Sequence, residues 1–376
     1  MNYKNKLLLE SLVVENFKGF EAPIEINFFK TKAYDFNKEC IDENIVSKGM
    51  IYGKNASGKS NVGYAIFDIV SNLTDKNNGI SLYNNYLNAY SNKDSANFIY
   101  TFKYNGLKIV YKYSKKSLEN ILLEELLINN KRVVFYDFSE KSHMIETNLK
   151  GTENLDKNFE GMNISVLKYI YKNSKLEVNE ENIAFQKMME FVNNMLFFRC
   201  LNSNNYIGFQ NGSKDILEDI AESGKVDEFE KFLNEEGVKC QLVEKVNNGT
   251  KTIAFKFGEN KIDFSEIAST GTHSLALFFF WYKNLENASF LFIDEFDAFY
   301  HFELAEKIVK KLKDIDIQVI LTTHNTFLMT NELLRPDCYF IIFDNKIFKP
   351  LFELTEKELR YGHNLEKIFR AEGFTS

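Results

Sequence analysis

The residues from Gly53 to Ser60 have the spacing G-x-x-x-x-G-K-[ST], which is typical of a loop that binds phosphate groups. Gly53 and Gly58 leave the backbone free to wrap a phosphate chain with its N–H groups pointing inward. Lys59 can reach the β- and γ-phosphates of a nucleotide, and the Ser60 hydroxyl can bind Mg²⁺. The alternative is an ordinary glycine and serine turn at the surface. An apolar stretch before the loop and apolar residues at helical spacing after it favour the strand, loop and helix of a phosphate site.

Two carboxylates follow a second apolar stretch, which runs from Phe290 to Ile293 and predicts a buried parallel strand. Asp294 suits the coordination shell of Mg²⁺. Glu295 suits a general base that orients and deprotonates an attacking water molecule. An Asp-Glu pair after a strand is common by chance. The assignment of these two residues to a nucleotide site therefore depends on the phosphate loop elsewhere in the chain.

A third apolar stretch, residues 317–321, ends in Thr322-Thr323-His324-Asn325. A polar residue at the carboxyl end of a strand beside the phosphate loop can face the γ-phosphate. His324 is therefore a candidate for sensing or stabilising that phosphate. The alternative is a structural histidine whose hydrogen bonds are satisfied within the fold.

A turn of small and hydroxyl-bearing residues, 268–272, precedes an apolar helix predicted over residues 274–285. A glycine and hydroxyl turn at a helix N-terminus is a second device for binding an anion. The alternative is a plain helix cap, in which a hydroxyl satisfies the first N–H groups of the helix.

The nucleotide is predicted to be ATP rather than GTP. The tetrapeptide Asn260–Asp263 matches the N-K-x-D pattern that reads guanine, but it falls on a predicted β-hairpin. The stretch around Asp294 also lacks the D-x-x-G of a GTPase switch.

The net charge and the composition restrict the classes of protein to which this chain can belong. The net charge of −7 argues against a surface covered in nucleic-acid-binding charge, although it leaves room for a local groove. Four cysteines without metal-ligand spacing indicate free thiols in a reducing compartment. We expect no signal peptide. The longest apolar run, residues 275–282, is far shorter than the roughly 20 residues of a membrane helix. We expect a soluble, cytoplasmic protein without a membrane partner.

The pattern of elements predicts three parts. Residues 1–150 contain the phosphate loop and several strands, among them a β-hairpin with Asn105-Gly106 at its turn. Residues 151–240 change to helical spacing and are predicted to be a helical insert. Residues 241–376 begin with strands and then alternate helix and strand, which is the α/β pattern expected behind a phosphate loop.

In this order, the motifs resemble those of ABC-class ATPases of the SMC, RecF and OLD-like branch. They resemble in particular the compact AAA-type ATPases encoded beside effector genes in bacterial antiphage systems. The resemblance covers most of the chain, from Glu15–Phe20 near the start to Gly362–Lys367 near the end. It implies an ATPase head with a mixed central sheet, an antiparallel β lobe and the helical insert. Residues 1–150 would then be the first ATPase lobe, and residues 241–376 the second.

The resemblance also implies roles for individual residues. The Walker A loop that binds the nucleotide would comprise Gly53, Lys54, Asn55, Ala56, Ser57, Gly58, Lys59 and Ser60, with Asn61 following it. Ser269 and Gly271 would belong to the signature motif, residues 269–272, and residues 297–301 would be the D-loop. Asp294 with Ser60 would bind Mg²⁺, Glu295 would be the catalytic glutamate, and His324 the switch histidine.

Two departures from the family pattern bear on activity. The signature has Thr270 and Thr272 where Leu-Ser-Gly-Gly-Gln has a glycine and a glutamine, so we expect slow hydrolysis of ATP. The chain has only four glutamines, and none follows the phosphate-loop helix where the Q-loop is expected. The corresponding Mg²⁺ ligand is therefore not assigned.

The leading hypothesis is an ATP-binding and ATP-hydrolysing switch that forms a homodimer or higher oligomer, with ATP sandwiched between heads. A protein effector, nuclease-like and from a neighbouring gene, would be its partner in antiphage defence, and the helical insert would be the docking surface. The alternative is a RecF-like or SMC-like ATPase that binds DNA in repair or maintenance. Its support in the residues is two short basic clusters, Lys115-Lys116 and Lys310-Lys311-Lys313. The spacing of the second cluster also fits the solvated face of a helix. A transporter subunit and a self-contained nuclease fit less well.

Overall fold

The computed structural model describes residues 6–76, 84–139, 143–199, 205–207, 216–247, 249–344, 346–371 and 373–374. The strands are β1 (Leu7–Glu15), β2 (Ile24–Asn27), β3 (Ile41–Asp42), β4 (Ile45–Val46), β5 (Lys48–Tyr52), β6 (Ala96–Tyr104), β7 (Leu107–Lys115), β8 (Ile121–Ile128), β9 (Lys131–Asp137), β10 (Glu146–Thr147), β11 (Met195–Arg199), β12 (Asn205–Ile207), β13 (Leu242–Asn247), β14 (Thr250–Phe257), β15 (Asn260–Asp263), β16 (Phe290–Asp294), β17 (Gln318–Thr322), β18 (Tyr339–Ile342) and β19 (Phe348–Pro350). The helices are α1 (Lys59–Leu73), α2 (Val166–Asn173), α3 (Glu180–Asn193), α4 (Ile216–Glu222), α5 (Val226–Glu235), α6 (Phe264–Ile267), α7 (Thr270–Tyr282), α8 (Phe302–Lys313) and α9 (Leu365–Arg370).

A mixed sheet lies at the centre, in the order β12-β11-β16-β17-β5-β18-β19. The five inner strands run parallel, and β12 and β19 pair antiparallel at the two edges. Strands β5, β16, β17 and β18 are buried along their whole length, as expected for parallel strands covered on both faces. The strand that precedes the phosphate loop, β5, is therefore a direct neighbour of β17, which in turn pairs with β16. The predicted mixed central sheet is confirmed.

Helix α1 packs closely on this sheet. A side chain at Gly63 would place its Cβ 2.7 Å from the ring of Phe292 on β16 and 3.0 Å from the ring of Phe197 on β11. The absence of a side chain at this position thus lets the helix that follows the phosphate loop approach the strand that carries Asp294.

A second sheet is antiparallel, in the order β10-β9-β8-β7-β6-β1-β2, and forms the predicted β lobe. Its β6–β7 hairpin pairs Tyr104 with Leu107 around Asn105-Gly106. Both turn residues have positive φ, 48° and 80°, which is the conformation of the turn that an Asn-Gly pair favours. Gln318 of β17 joins the two sheets, because its side-chain amide bonds the N–H and C=O of Leu9 at 3.0 Å each.

A small antiparallel sheet, β13-β14-β15, carries the N-K-x-D tetrapeptide as strand β15. Phe257 pairs with Asn260 across the tight turn of this hairpin. The prediction that the tetrapeptide lies on a hairpin is confirmed.

The structure corrects the prediction of a helical insert over residues 151–240. Helices α2 to α5 lie in this range, but residues 195–199 form β11, which pairs in parallel with the whole of β16. Met195–Arg199 is a five-residue apolar run with one terminal charge, and periodicity cannot distinguish such a short buried run from part of a helix. The segment therefore contributes a strand to the central sheet and is not a separate helical body.

Candidate functional site

The phosphate-loop residues connect the end of β5 to the start of α1, as the sequence predicts. Ser57 donates its N–H to the carbonyl of Lys54 at 3.1 Å, which closes the loop on itself. Gly58 is the N-cap of α1, and because it has no side chain, the first N–H groups of this 15-residue helix have no side-chain cap. Free N–H groups and the helix dipole make this end of α1 a site for an anion.

Both glycines of the loop are required by its geometry. A Cβ on Gly53 would lie 2.4 Å from Oγ of Ser57 and 2.8 Å from the carbonyl oxygen of Ile342. Gly58 has φ 121°, which side-chain-bearing residues rarely adopt. Oγ of Ser57 is buried and has no hydrogen-bond partner within the described part of the chain. A close-packed loop with an unsatisfied buried hydroxyl and uncapped N–H groups fits a bound phosphate chain.

The remaining loop residues differ in exposure. Lys54, Asn55 and Ala56 form the exposed outer turn, with Ala56 in the left-handed region at φ 65°. Ser60 and Asn61 are partly exposed in the first turn of α1.

Lys59 joins three of the predicted site residues. Its Nζ lies 2.7 Å from Nε2 of His324, 3.5 Å from Oε1 of Glu295 and 3.0 Å from the carbonyl oxygen of Gly53. Nε2 of His324 also lies 3.1 Å from Oε1 of Glu295, so the three side chains form one cluster. Burial lowers the pKa of Lys59, and the neighbouring Glu295 carboxylate opposes that shift. The central sheet thus brings together groups from the ends of three neighbouring strands.

The end of β16 is fixed by a hydroxyl that the sequence analysis did not single out. Thr322, the last residue of β17, donates its hydroxyl to Oδ1 of Asp294 at 2.7 Å and accepts the N–H of Glu295 at 2.8 Å. Glu295 has φ 51°, an uncommon conformation for a glutamate. The turn at this residue directs its side chain towards Lys59. The sequence signal for Thr322 is a polar residue that ends a buried strand, which is the same signal that identified Asp294.

The predicted D-loop contacts the predicted switch segment. Asp297 lies within hydrogen-bonding reach of Thr323 and Asn325, and both bonds lower the pKa of this carboxyl. Burial has the larger effect, so the pKa of Asp297 is raised overall. Phe296 also donates its N–H to the carbonyl of Thr322 at 3.1 Å. The segments that follow β16 and β17 are therefore joined directly by hydrogen bonds.

The predicted signature turn is a helix cap in this structure. Oγ of Ser269 accepts the N–H of Thr272 at 3.1 Å and so begins α7. A Cβ on Gly271 would lie 2.9 Å from the carbonyl oxygen of Phe299, so the turn packs against the D-loop. None of the hydrogen bonds or ion pairs found among the described residues joins this turn to the phosphate loop. Within one chain, Ser269 and Gly271 are thus apart from the contacts made by Lys59.

Two cations flank Tyr64 on α1, and sequence reasoning did not assign either to the site. Nζ of Lys18 and the guanidinium of Arg199 each lie 5.1 Å from the centre of the Tyr64 ring. Lys18 belongs to the N-terminal motif, and Arg199 ends β11 in register with Asp294. Burial lowers the pKa of Lys18, and Arg199 lowers it further, while Asp68 raises it. The available signal for Arg199 was an apolar run that ends in a charge.

Among known proteins, the chain matches one family and resembles several solved structures. The chain is similar to the SMC head domain from Thermotoga maritima, at 16% identity over 91% of this chain and 98% of that one, with a TM-score of 0.43. It is also similar to an Smc head bound to the C-terminal winged-helix domain of ScpA, at 15% identity over 91% and 96%, with a TM-score of 0.44. An Smc head with an extended coiled coil, bound to the C-terminal domain of ScpA derived from Pyrococcus furiosus, gives 13% identity, 92% and 96% coverage, and a TM-score of 0.44. These matches cover most of each chain, but their TM-scores are low. The fold of this chain is therefore assigned from its own strand order.

No curated protein is similar enough to the chain to count as a match. Within the described residues, no helix combines the length and apolar character needed to cross a membrane. The family described as "AAA domain, putative AbiEii toxin, Type IV TA system" matches residues 50–330, which is more than half of the chain and includes the phosphate loop, Asp294, Glu295 and His324. The chain belongs to this AAA domain family.

Proposed function

We propose that this protein is an ATP-hydrolysing switch that closes as a dimer and controls a partner effector in bacterial antiphage defence. The observation that carries the proposal is the convergence of Lys59, Glu295 and His324, whose side chains meet within 3.5 Å beside the phosphate loop. A cation for phosphate, a carboxylate base and an imidazole are the groups that hydrolysis of a phosphoanhydride uses.

The loop and its lysine would bind the phosphates of ATP. The N–H groups at the start of α1 are oriented for an anion, and Lys59 would exchange its present contacts with Glu295 and His324 for phosphate oxygens. Ser60 and Asp294 would hold Mg²⁺. When bound, this ion neutralises phosphate oxygens and helps to align them.

Glu295 would accept the proton of the attacking water. Its carboxylate is partly exposed and lies 3.1 Å from Nε2 of His324, so both groups border the same space at the end of the sheet. The hydrogen bond that the N–H of Glu295 donates to the hydroxyl of Thr322 holds the base in its left-handed turn. Release of Lys59 to the phosphates would free the carboxylate for this role.

A second copy would complete the site. Ser269 caps α7 at an exposed position, and neither Ser269 nor Gly271 makes any of the described hydrogen bonds with the phosphate loop of its own chain. In the proposed dimer, this cap of one subunit faces the γ-phosphate bound by the other. ATP then stabilises the closed dimer because its γ-phosphate contacts both subunits. Hydrolysis removes the γ-phosphate and with it the preference for the closed dimer.

We propose that this protein acts on a second protein, the effector, rather than on DNA. The family description names a putative AbiEii toxin and a Type IV TA system, which supports a role beside a partner. The basic clusters that the DNA-binding alternative requires are neutralised in the structure. Lys310, Lys311 and Lys313 lie next to Glu306, Glu236 and Glu39, respectively. Lys115 is buried, and Lys116 pairs with Asp94.

The substitution Glu295→Gln tests the proposal. The amide keeps the shape of the side chain and removes the base, so we expect ATP to bind while turnover falls about 10²–10⁴-fold. Light scattering with ATP and Mg²⁺ should then show the mass of a dimer that persists. Glu286→Gln, at an exposed glutamate, is the matched control and should keep the wild-type rate. A Glu295→Gln protein that hydrolyses ATP at the wild-type rate would refute the catalytic role, and one that stays monomeric would refute the dimer.

A further inference from the structure

The turn between β18 and β19 contacts the phosphate loop from outside. Nζ of Lys346 lies 2.6 Å from the carbonyl oxygen of Ser57 and 3.2 Å from that of Ala56. The backbone N–H of Lys346 donates to the carbonyl of Phe343 at 2.9 Å, which anchors the lysine at the end of the turn. One ammonium group thus binds two consecutive carbonyls of the loop.

Strand β18 also supports the two loop glycines. Where Gly53 would carry a Cβ, the nearest groups include Cγ2 and the carbonyl oxygen of Ile342, both at 2.8 Å. For Gly58, Cδ1 of the same isoleucine lies at 3.3 Å. Ile342 therefore packs against both glycines, and Lys346 adds a polar contact to the loop.

The backbone at Lys346 is not one that lysine prefers. Its φ of 62° lies in the left-handed region, which glycine and asparagine occupy most easily. A strained residue persists when its surroundings favour it, and it is a starting point for a functional hypothesis. At Lys346, the favourable surroundings are the two carbonyls of the phosphate loop.

We infer that Lys346 is a positioning residue that holds the phosphate loop in its anion-binding conformation. In a trans peptide, the C=O of one residue and the N–H of the next point in opposite directions. Because the carbonyl of Ser57 points to Lys346, the N–H of Gly58 points to the inner side of the loop. The carbonyl of Ala56 likewise points to Lys346, and the N–H of Ser57 points inward to Lys54.

This inference deepens the proposed function and rests on it. Without the lysine, the peptide between Ser57 and Gly58 is free to rotate and its N–H no longer faces the phosphates. The loop wraps the phosphates that ADP and ATP share, so affinity for both nucleotides should fall by the same factor. Loss of hydrogen bonds from a charged donor predicts a fall of about ten- to a hundredfold.

The test compares Lys346→Asn with Lys349→Asn. Asparagine accepts the left-handed backbone but is too short and uncharged to replace the lysine. Lys349 lies in β19 of the same hairpin, and its side chain makes none of the hydrogen bonds or ion pairs seen among the described residues. Its substitution changes the net charge by the same amount. Affinity for ADP and for ATP would be measured by calorimetry with Mg²⁺, and the unfolding midpoint would be measured without nucleotide. We expect weaker binding of both nucleotides only in Lys346→Asn, with little change of the midpoint in either variant.

Several outcomes would overturn the inference. The inference is wrong if Lys346→Asn binds ADP and ATP with wild-type affinity. It is also wrong if Lys349→Asn loses as much affinity as Lys346→Asn, because the loss would then be a general effect of charge. If Lys346→Asn does not fold, Lys346→Gly takes its place, because glycine occupies this backbone conformation without strain. A wild-type protein that binds neither nucleotide would refute the proposed function itself, together with the inference.

Discussion

Replacing Lys115 by methionine should destabilise the protein far more than the same change at Lys116. Lys115 ends β7, and its Nζ lies 3.4 Å from Oδ2 of Asp68 on α1, with both side chains fully buried. Tyr113 and Tyr86 donate their hydroxyls to the same carboxylate, at 2.7 Å and 3.1 Å. The pair therefore fixes the helix that follows the phosphate loop to the antiparallel sheet.

The expected loss of free energy of unfolding follows from the burial of the Lys115–Asp68 ion pair. Removing one partner of a buried ion pair leaves an uncompensated charge and costs about 3–5 kcal/mol. The two tyrosine hydroxyls still bind Asp68 in the variant, so we expect a loss near the lower end of that range. Lys116 lies 3.3 Å from Asp94, but the two side chains are 48% and 80% exposed. A pair at the surface contributes only about 0–1 kcal/mol.

The assay is urea unfolding followed by the fluorescence of Trp281. This residue is the single tryptophan of the chain and is buried. Lys115→Met and Lys116→Met would be compared with the wild type, together with Asp68→Asn and the Asp68→Asn/Lys115→Met double variant. The double variant should lose less free energy of unfolding than the two single changes together, because neither charge is then left unpaired. Equal losses for Lys115→Met and Lys116→Met would show that the buried pair does not stabilise the fold.

Two further substitutions test the nucleotide site. Lys59→Ala removes the loop cation expected on the β- and γ-phosphates, so calorimetry should detect no ATP binding; affinity near that of the wild type would contradict the assignment of the loop. Ser269→Arg adds bulk at the cap proposed to meet the other subunit. It should prevent the ATP-dependent doubling of mass in the Glu295→Gln background while ATP binding stays intact. Doubling in the presence of the arginine would mean that this cap is not in the dimer contact.

Much of the fold follows from local sequence patterns. The Asn105-Gly106 hairpin forms because both residues accept positive φ, which is a property of those two residues alone. The strand, loop and helix around Gly53–Ser60 likewise follow from short-range preferences for glycine, apolar runs and helical spacing. The alternation of helix and strand after residue 264 predicts a largely parallel sheet, which the structure contains.

Local patterns were misleading where pairing is between distant segments. Met195–Arg199 is too short to show a period, and only its pairing with β16 makes it a strand of the central sheet. The adjacent lysines Lys115 and Lys116 have the same charge in the sequence. Lys115 is the last residue of β7 and lies in the interior next to Asp68, whereas Lys116 follows the strand in a bend at the surface.

The groups that could do chemistry are visible in local sequence: a phosphate loop, two carboxylates after one strand and a histidine after another. How these groups meet depends on the packing of segments that are far apart in the chain. The order of β16, β17 and β5 places their carboxyl ends side by side, and the left-handed turn at Glu295 directs its side chain towards Lys59. The contact of Lys346 with the loop likewise depends on β18 lying beside β5. Strand order arises from burial and hydrogen bonding between segments far apart in the chain, and no short pattern of residues records it.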